Sequence, residues 1–285
     1  MPKMPTRPRN TLPPLACDGH THVFGPFDGF PLMLPSSYPP PDAPVERHLK
    51  MLDTIGAARG VIVQPAPYST DTRLMVHALK AAKGRLRGIA IATPAIADAA
   101  LRELDEAGVR GLRFVDMLDL QGNKFSGAVS ARELTHLAPR MKALGWHAEL
   151  WANLDDHLAL LPDLIPHGIA IVLDHLACLD VSRGVGDPSF QSLLRHVRVG
   201  DVYVKLTLCR RSNQYPSYAE LKPFHDALVA ANPDRLLWGS DWPYVAMGDS
   251  APDVGVMVDL VHDWVPDAAI RRKIFVDNPA RVYAF

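Results

Sequence analysis

Cys17-Asp18-Gly19-His20-Thr21-His22-Val23 places two histidines one residue apart in a run of strand-like pattern. Side chains alternate along a strand, so His20 and His22 point to the same face. Near the other end, Leu236-Leu237-Trp238-Gly239-Ser240-Asp241-Trp242-Pro243 is an apolar run that ends in an aspartate just before a loop. A third run, Ile169-Ala170-Ile171-Val172-Leu173-Asp174-His175, also ends in polar groups. Its unbroken apolar stretch is the pattern of a strand buried on both faces. Each run alone is equally compatible with structural or surface histidines. Together they read as one polar site at the strand ends of an α/β barrel.

The rhythm extends in both directions. Apolar runs near 16–23, 60–64, 87–92, 110–115, 146–151, 169–174, 201–206 and 236–240 are candidate strands. Stretches of helical period lie between and after them: 44–55, 72–82, 96–107, 130–143, 154–164, 189–196, 218–230 and 254–264, with 267–275 as a terminal helix. Eight such units in 285 residues fit a single-domain (β/α)8 barrel, which needs roughly 250 residues. A doubly wound open sheet would want a glycine-rich phosphate loop after an early strand, and no G-x-G-x-x-G or G-x-x-x-x-G-K-[ST] is present. Residues 1–15, proline-rich and basic, read as an extended, poorly ordered arm, and 16–285 as the barrel. The segment after the first strand, 24–44, carries Pro26, Pro31, Pro35, Pro39, Pro40, Pro41 and Pro44. A long loop stiffened in this way suits a fixed lid over the strand ends.

Composition narrows the classes. The chain is 48% hydrophobic and 21% charged, with a net charge of −1, so no basic excess argues for nucleic acid or an anionic membrane. Cys17, Cys178 and Cys209 are too few and too scattered for a disulfide framework or a Cys-x-x-Cys zinc site. They read as reduced cysteines. No signal peptide or membrane span is visible, which favours the cytoplasm.

Placing polar residues at the expected strand ends gives His20 and His22 on strand 1, Gln64 then Tyr68 on strand 2, and Arg113 on strand 4. Strand 5 offers His147, Glu149 and Trp151, strand 6 His175, strand 7 Lys205 and Thr207 followed by Arg210 and Arg211, and strand 8 Asp241. Glu149 either joins the pocket or pairs behind the strand, and a buried carboxylate requires a partner in either place. His48, His77, His136, His157, His167, His196, His225 and His262 fall in expected helices or turns and are assigned to the surface. A nucleophilic cysteine would need an adjacent base, and nothing singles one out for Cys178 or Cys209.

His-x-His on strand 1, Asp174-His175, Gly239-Ser240-Asp241-Trp242-Pro243 and the terminal Asp277-Asn278-Pro279-Ala280-Arg281 resemble the amidohydrolase superfamily. Val61-Ile62-Val63-Gln64 and Gly111-Leu112-Arg113-Phe114 narrow the resemblance to its amidohydrolase-2 branch, which includes the 2-pyrone-4,6-dicarboxylate lactonases. The likeness runs over nearly the whole chain. It implies an amidohydrolase-like barrel that hydrolyses a small carboxylate-bearing lactone in the breakdown of aromatic or sugar acids. It assigns Asp241 as general base and His20, His22 and His175 to polarising the carbonyl. Arg113 and Arg211 match positions that bind substrate carboxylates, and Tyr38 matches a lid tyrosine; Tyr68 and Trp151 join the substrate-binding set.

A binuclear metal centre would need a bridging group on strand 4 and a histidine on strand 5, where this chain has Arg113 and Trp151. The resemblance therefore implies either no metal or a single divalent ion such as zinc, held by His20, His22, His175 and Asp241. The chain departs from the pattern in two places. A further arginine six residues past the strand-4 arginine is Asp119 here, and a strand-5 tyrosine is Trp151. These point to a different lactone, such as a muconolactone or a sugar-acid lactone. Arg210, beside Arg211, and Lys124, in the strand-4 loop, could supply charge from another direction, and Lys124 reads more simply as solvated surface. A lactone isomerase, a metal-dependent decarboxylase and a non-catalytic acid-binding barrel are the alternatives. The oligomeric state is not encoded in any motif.

Overall fold

A computed structural model describes residues 1–119 and 121–285. Eight strands form one sheet in chain order: β1 (Cys17–Thr21), β2 (Arg59–Val63), β3 (Leu86–Ala90), β4 (Val109–Val115), β5 (His147–Trp151), β6 (Ile171–Leu173), β7 (Val202–Lys205) and β8 (Leu236–Leu237). All neighbouring pairs are parallel. The circle closes where β8 runs on past its last ladder pair. Gly19 N donates to Trp238 O at 2.8 Å, Asp241 N to His20 O at 2.8 Å and His22 N to Trp242 O at 2.9 Å. Two glycines allow this approach. A Cβ on Gly19 would meet Trp238 O at 2.8 Å, and one on Gly239 would meet His20 Cβ at 2.6 Å.

Helices α1 (Val45–Ile55), α2 (Arg73–Ala81), α3 (Asp98–Ala107), α4 (Leu134–Ala143), α5 (Leu154–Leu164), α6 (Pro188–Val199), α7 (Lys222–Ala231) and α8 (Val254–Trp264) follow strands 1 to 8 in turn. Two short helices, α9 (Ala268–Arg272) and α10 (Asn278–Tyr283), flank a π-helical turn at the end of the chain. The architecture is a single (β/α)8 barrel. Among the described residues no helix is long and apolar enough to cross a membrane.

Period-2 alternation divides the core. Ile62, Leu150, Leu173 and Val204 point outward into the cluster shared with the helices. Val61, Val63, Val172 and Tyr203 point into the barrel, where Tyr283 of α10 and Val282 close the bottom. The same alternation stacks His147, Glu149 and Trp151 of β5 on one interior face, rising toward the mouth.

The helix stripes correct one expectation. His48, His157 and His225 are fully buried rather than on the surface. In α1 the buried positions are Val45, His48, Met51, Leu52 and Ile55, a stripe of helical period with His48 inside it. His157 sits likewise among Leu154, Leu161 and Leu164 of α5, and His225 beside Phe224 and Leu228 of α7. Residues 1–15 form no helix or strand, yet they are pinned rather than loose. Thr6 N donates to Asp253 Oδ2 at 2.8 Å, and the backbone N–H groups of Arg9 and Asn10 both donate to Asp259 of α8.

Candidate active site

The C-terminal strand ends enclose a cavity of about 340 Å³. A larger groove, about 690 Å³, lies between α2 and α3, but its polar lining is three threonines, Lys80, Glu103 and Glu106, with no histidine, aspartate or arginine among them. The chemistry belongs to the smaller cavity, whose wall includes His22, His175, Asp241, Arg113 and Arg210.

Asp241 forms the floor. Its Oδ1 lies 3.2 Å from His22 Nε2 and 3.6 Å from His20 Nε2, and its Oδ2 accepts from Arg210 Nε. Burial alone would push this carboxyl up. The Arg210 guanidinium, the His22 contact and His175 outweigh it and hold Asp241 well below the usual carboxylate range. Asp241 is delivered by backbone in the left-handed region, φ 66°, and His175 by φ 53°. Such conformations cost of order 1–3 kcal/mol in non-glycine residues and persist where the surroundings enforce them. Asp18 supplies part of that enforcement, because its Oδ1 accepts from Ser240 N at 2.9 Å.

The histidine rings pack together, His20 and His22 T-shaped and His20 and His175 tilted. The His20 ring centroid is 5.0 Å from His22 and 4.8 Å from His175. Burial, then the Lys205 ammonium, pushes His20 down to about 3; burial also holds His175 well below the usual imidazole range. His22 Nδ1 lies 2.7 Å from Val63 O and its Nε2 faces Asp241. Both partners are acceptors. Either both ring nitrogens carry protons, or a cation stands between Nε2 and the carboxylate.

No metal is needed to describe these contacts, but the donors suit one. His20, His22 and Asp241 place three ligating atoms within 4.8 Å of one another, as do His20, Asp174 and His175. Two imidazoles and a carboxylate are a fitting set for a single divalent ion with an open position.

Other expected residues separate into two groups. Arg113 lines the cavity, donates from Nη1 to Gln64 O at 3.1 Å and lies with Cζ 5.2 Å over the Trp151 ring. Trp151 stacks on Phe125 at 5.1 Å, and Tyr38 closes the lid side. Asp119 also reaches the wall, with Oδ1 accepting from Gln121 N and Asn123 N, while Lys124 is exposed. Arg211 and Tyr68 are outside the lining. Arg211 Nε and Nη2 both donate to Leu179 O, at 2.9 and 2.6 Å. Tyr68 OH accepts from Gly25 N and donates to Phe30 O, so it ties down the lid. Burial raises the Cys178 thiol to about 12 and pushes the Cys209 thiol up as well, which leaves neither as a ready thiolate.

The sequence offers Arg210, beside Arg211, as a further source of charge for the site, and of the two it is the one that turns inward. Adjacent loop arginines carry no signal that distinguishes them. Glu149 finds its partner inside the barrel: Lys205 Nζ donates to its Oε2 at 2.6 Å, one layer beneath the cavity. That pairing has a readable signal, since Glu149 and Lys205 each stand on the inward phase of their strands.

With the geometry in hand, relatedness is informative. Two enzymes resemble the chain over most of their length. One is a 2-pyrone-4,6-dicarboxylate hydrolase of Comamonas testosteroni, 34% identical over 98% of this chain and 93% of its own. The other is a 4-sulfomuconolactone hydrolase of Rhizobium radiobacter, 37% identical over 95% and 91%. A solved structure from Pseudomonas putida, itself only provisionally assigned as a 2-pyrone-4,6-dicarboxylic acid hydrolase, superposes with a TM-score of 0.81 at 31% identity, covering 96% of this chain and 98% of that one. Residues 17–285 match the amidohydrolase family model, and the chain belongs to the amidohydrolase family.

Proposed function

We propose that the protein opens a small carboxylate-bearing lactone by attack of water on the lactone carbonyl, with Asp241 as general base. The observation that carries this reading is the ionised Asp241 carboxylate on the floor of a cavity that also holds Arg113. The names of the relatives, hydrolases of a pyrone dicarboxylate and of a sulfomuconolactone, support the substrate class. Water oxygen bonds to the carbonyl carbon while its proton passes to Asp241. The carbon–oxygen ring bond then breaks, and the proton goes to the leaving ring oxygen, giving a ring-opened acid. His22 and His175 stabilise the oxygen that becomes negative.

Arg113 engages the substrate carboxylate, because its fork matches two oxygens. The second cation expected of Arg211 falls to Arg210 in this reading. Arg210 depresses the base in the free protein, so a bound carboxylate that shares its charge lets Asp241 become more basic when substrate arrives. The wall of Phe125, Trp151 and Leu118 with Asp119 disfavours a second carboxylate at that end. The substrate is therefore a lactone bearing one carboxylate. One divalent ion at His20, His22 and Asp241 would add Lewis-acid polarisation of the carbonyl.

The test is a panel of pyrone dicarboxylate, muconolactones and aldarolactones, run with zinc and with chelator, in water enriched in oxygen-18. The expected result is turnover of a monocarboxylate lactone with one labelled oxygen incorporated. Turnover without label would identify an isomerase, and no turnover of any acid lactone would overturn the reading. Arg113→Met should weaken acidic lactones by about 2–5 kcal/mol and neutral ones far less; equal weakening of both would remove Arg113 from carboxylate binding.

A further inference from the structure

Beneath the cavity floor, Lys205 is completely buried, with its ammonium surrounded by three acceptors. Nζ lies 2.6 Å from Glu149 Oε2, 2.9 Å from His20 Nδ1 and 3.2 Å from Asp174 Oδ1. An ammonium has three hydrogens and no lone pair. Asp174 Oδ1 also stands 3.2 Å from Nδ1, but it makes no hydrogen bond there, whereas Lys205 does at 2.9 Å; with an ammonium as donor Nδ1 offers its lone pair, and a neutral imidazole then carries its hydrogen on Nε2. That Nε2 has no hydrogen-bond partner and faces Asp241 Oδ1 at 3.6 Å. Glu149 is itself braced from below, with Oε1 3.4 Å from both His147 Nε2 and Tyr283 OH.

We infer that Lys205, held in place by Glu149, is a positioning residue that fixes His20 as the Nε2–H tautomer and aims that N–H at Asp241. The inference deepens the lactone-opening reading, on which its kinetic consequence rests, but the tautomer stands on geometry alone. It also sets a choice at the metal site. A ring with hydrogen on Nε2 has no lone pair there for a metal, so His20 is withdrawn from the three-donor set while Lys205 is in place.

The experiment is nitrogen-15 NMR of the full chain with labelled histidine, assigned by loss of the His20 signals in His20→Gln. The expected spectrum shows an unprotonated Nδ1 and a protonated Nε2 for His20, unchanged by added zinc. A protonated Nδ1, or a zinc-induced shift of His20 Nε2, would overturn the inference whether or not any lactone is turned over. Lys205→Met should release the tautomer preference. Because it strands Glu149, the Glu149→Gln/Lys205→Met pair removes the two charges of that ion pair together and keeps the test available if the single variant does not fold. On a lactone substrate this pair should lower kcat by roughly 10–100-fold, the loss of one charge-assisted hydrogen bond, with KM little changed. A raised KM at constant kcat would mean that Lys205 only supports the substrate site. Failure of every lactone with the expected tautomer intact would indict the proposed reaction and leave the positioning role standing.

Discussion

His20, His22 and His175 at the barrel mouth are no better shielded from water than His48, His157 and His225 on the inner faces of α1, α5 and α7. The two sets differ in what surrounds them. The mouth set touches Asp174, Asp241 and Lys205, and two of its members, His22 and His175, line a cavity. The helix set meets mainly apolar and aromatic neighbours. His48 stacks on Trp242 with centroids 5.8 Å apart and neither ring nitrogen bonded, and His225 meets Trp264 edge-on at 5.0 Å. Only His157 does a structural task through its ring, accepting from Ala152 N at 3.3 Å. Burial of a histidine is thus no evidence of chemistry. Convergence with charged partners at an open cavity is.

The largest expected effect breaks the mouth set from its base. Asp241→Asn keeps the shape of the side chain and removes its capacity to take a proton. General-base catalysis is commonly worth about 10²–10⁴-fold, so kcat on a lactone substrate should fall by that order while the protein stays folded. Near-full turnover by this variant would return Asp241 to a structural role beside Arg210.

The sharpest contrast within the helix set is His157→Leu. The substitution leaves Ala152 N–H buried without its acceptor, which costs about 1–3 kcal/mol at pH 7 by urea unfolding. Turnover per folded molecule should be unchanged. If activity fell as in the mouth variants, the division between the two sets would not hold.

How much of this was legible in the sequence depends on which periodicity carries the residue. The strands were visible as apolar runs, but β6 and β8 stop at Leu173 and Leu237 because the chain leaves the ladder to deliver His175 and Asp241 with left-handed φ. His20, His22, His175 and Asp241 are read from strand ends, and the structure brings their side chains together. The helix histidines lay in plain apolar stripes, yet histidine reads as a surface residue unless the stripe is given precedence over the residue type. Arg210 and Arg211 show the opposite limit: loop backbone decides which one turns inward, and no periodicity governs it. Glu149 and Lys205 stand on the inward phase of strands 5 and 7, which the sequence shows, and the closed barrel adds that they share one interior layer.

His48 offers a smaller, pH-resolved effect. Burial pushes it from 6.5 down to about 3, so the folded protein holds it neutral while the unfolded chain takes up a proton below pH 6.5. Its contribution to stability is therefore complete above pH 6.5 and is lost as pH falls toward 3, at about 1.4 kcal/mol per pH unit. His48→Leu should leave turnover intact and flatten the decline in unfolding free energy between pH 6.5 and 5.5 by about 1 kcal/mol, since the unfolded histidine is only half protonated at the upper end. An unchanged slope would show that His48 is hydrated or paired in solution.

The smallest effect belongs to His225→Phe. Burial lowers His225 to about 4, and the nearby Asp226 carboxylate raises it in opposition, with Nδ1 and Oδ1 3.5 Å apart. Asp226 is about half exposed, so its attraction is largely screened. Phenylalanine keeps an edge-on partner for Trp264 and removes the polar nitrogens from an apolar site, while adding some volume to a packed layer. These changes oppose one another, and the unfolding free energy at pH 7 should move by less than about 1 kcal/mol. Below pH 6.5 the variant should lose less stability than the parent, because one proton-binding group of the unfolded chain is gone. Urea titrations at pH 7 and pH 5.5 measure both. A loss above 2 kcal/mol at pH 7 with no relief at pH 5.5 would mean that His225 holds α7 by a charged contact, and would move it out of the apolar set.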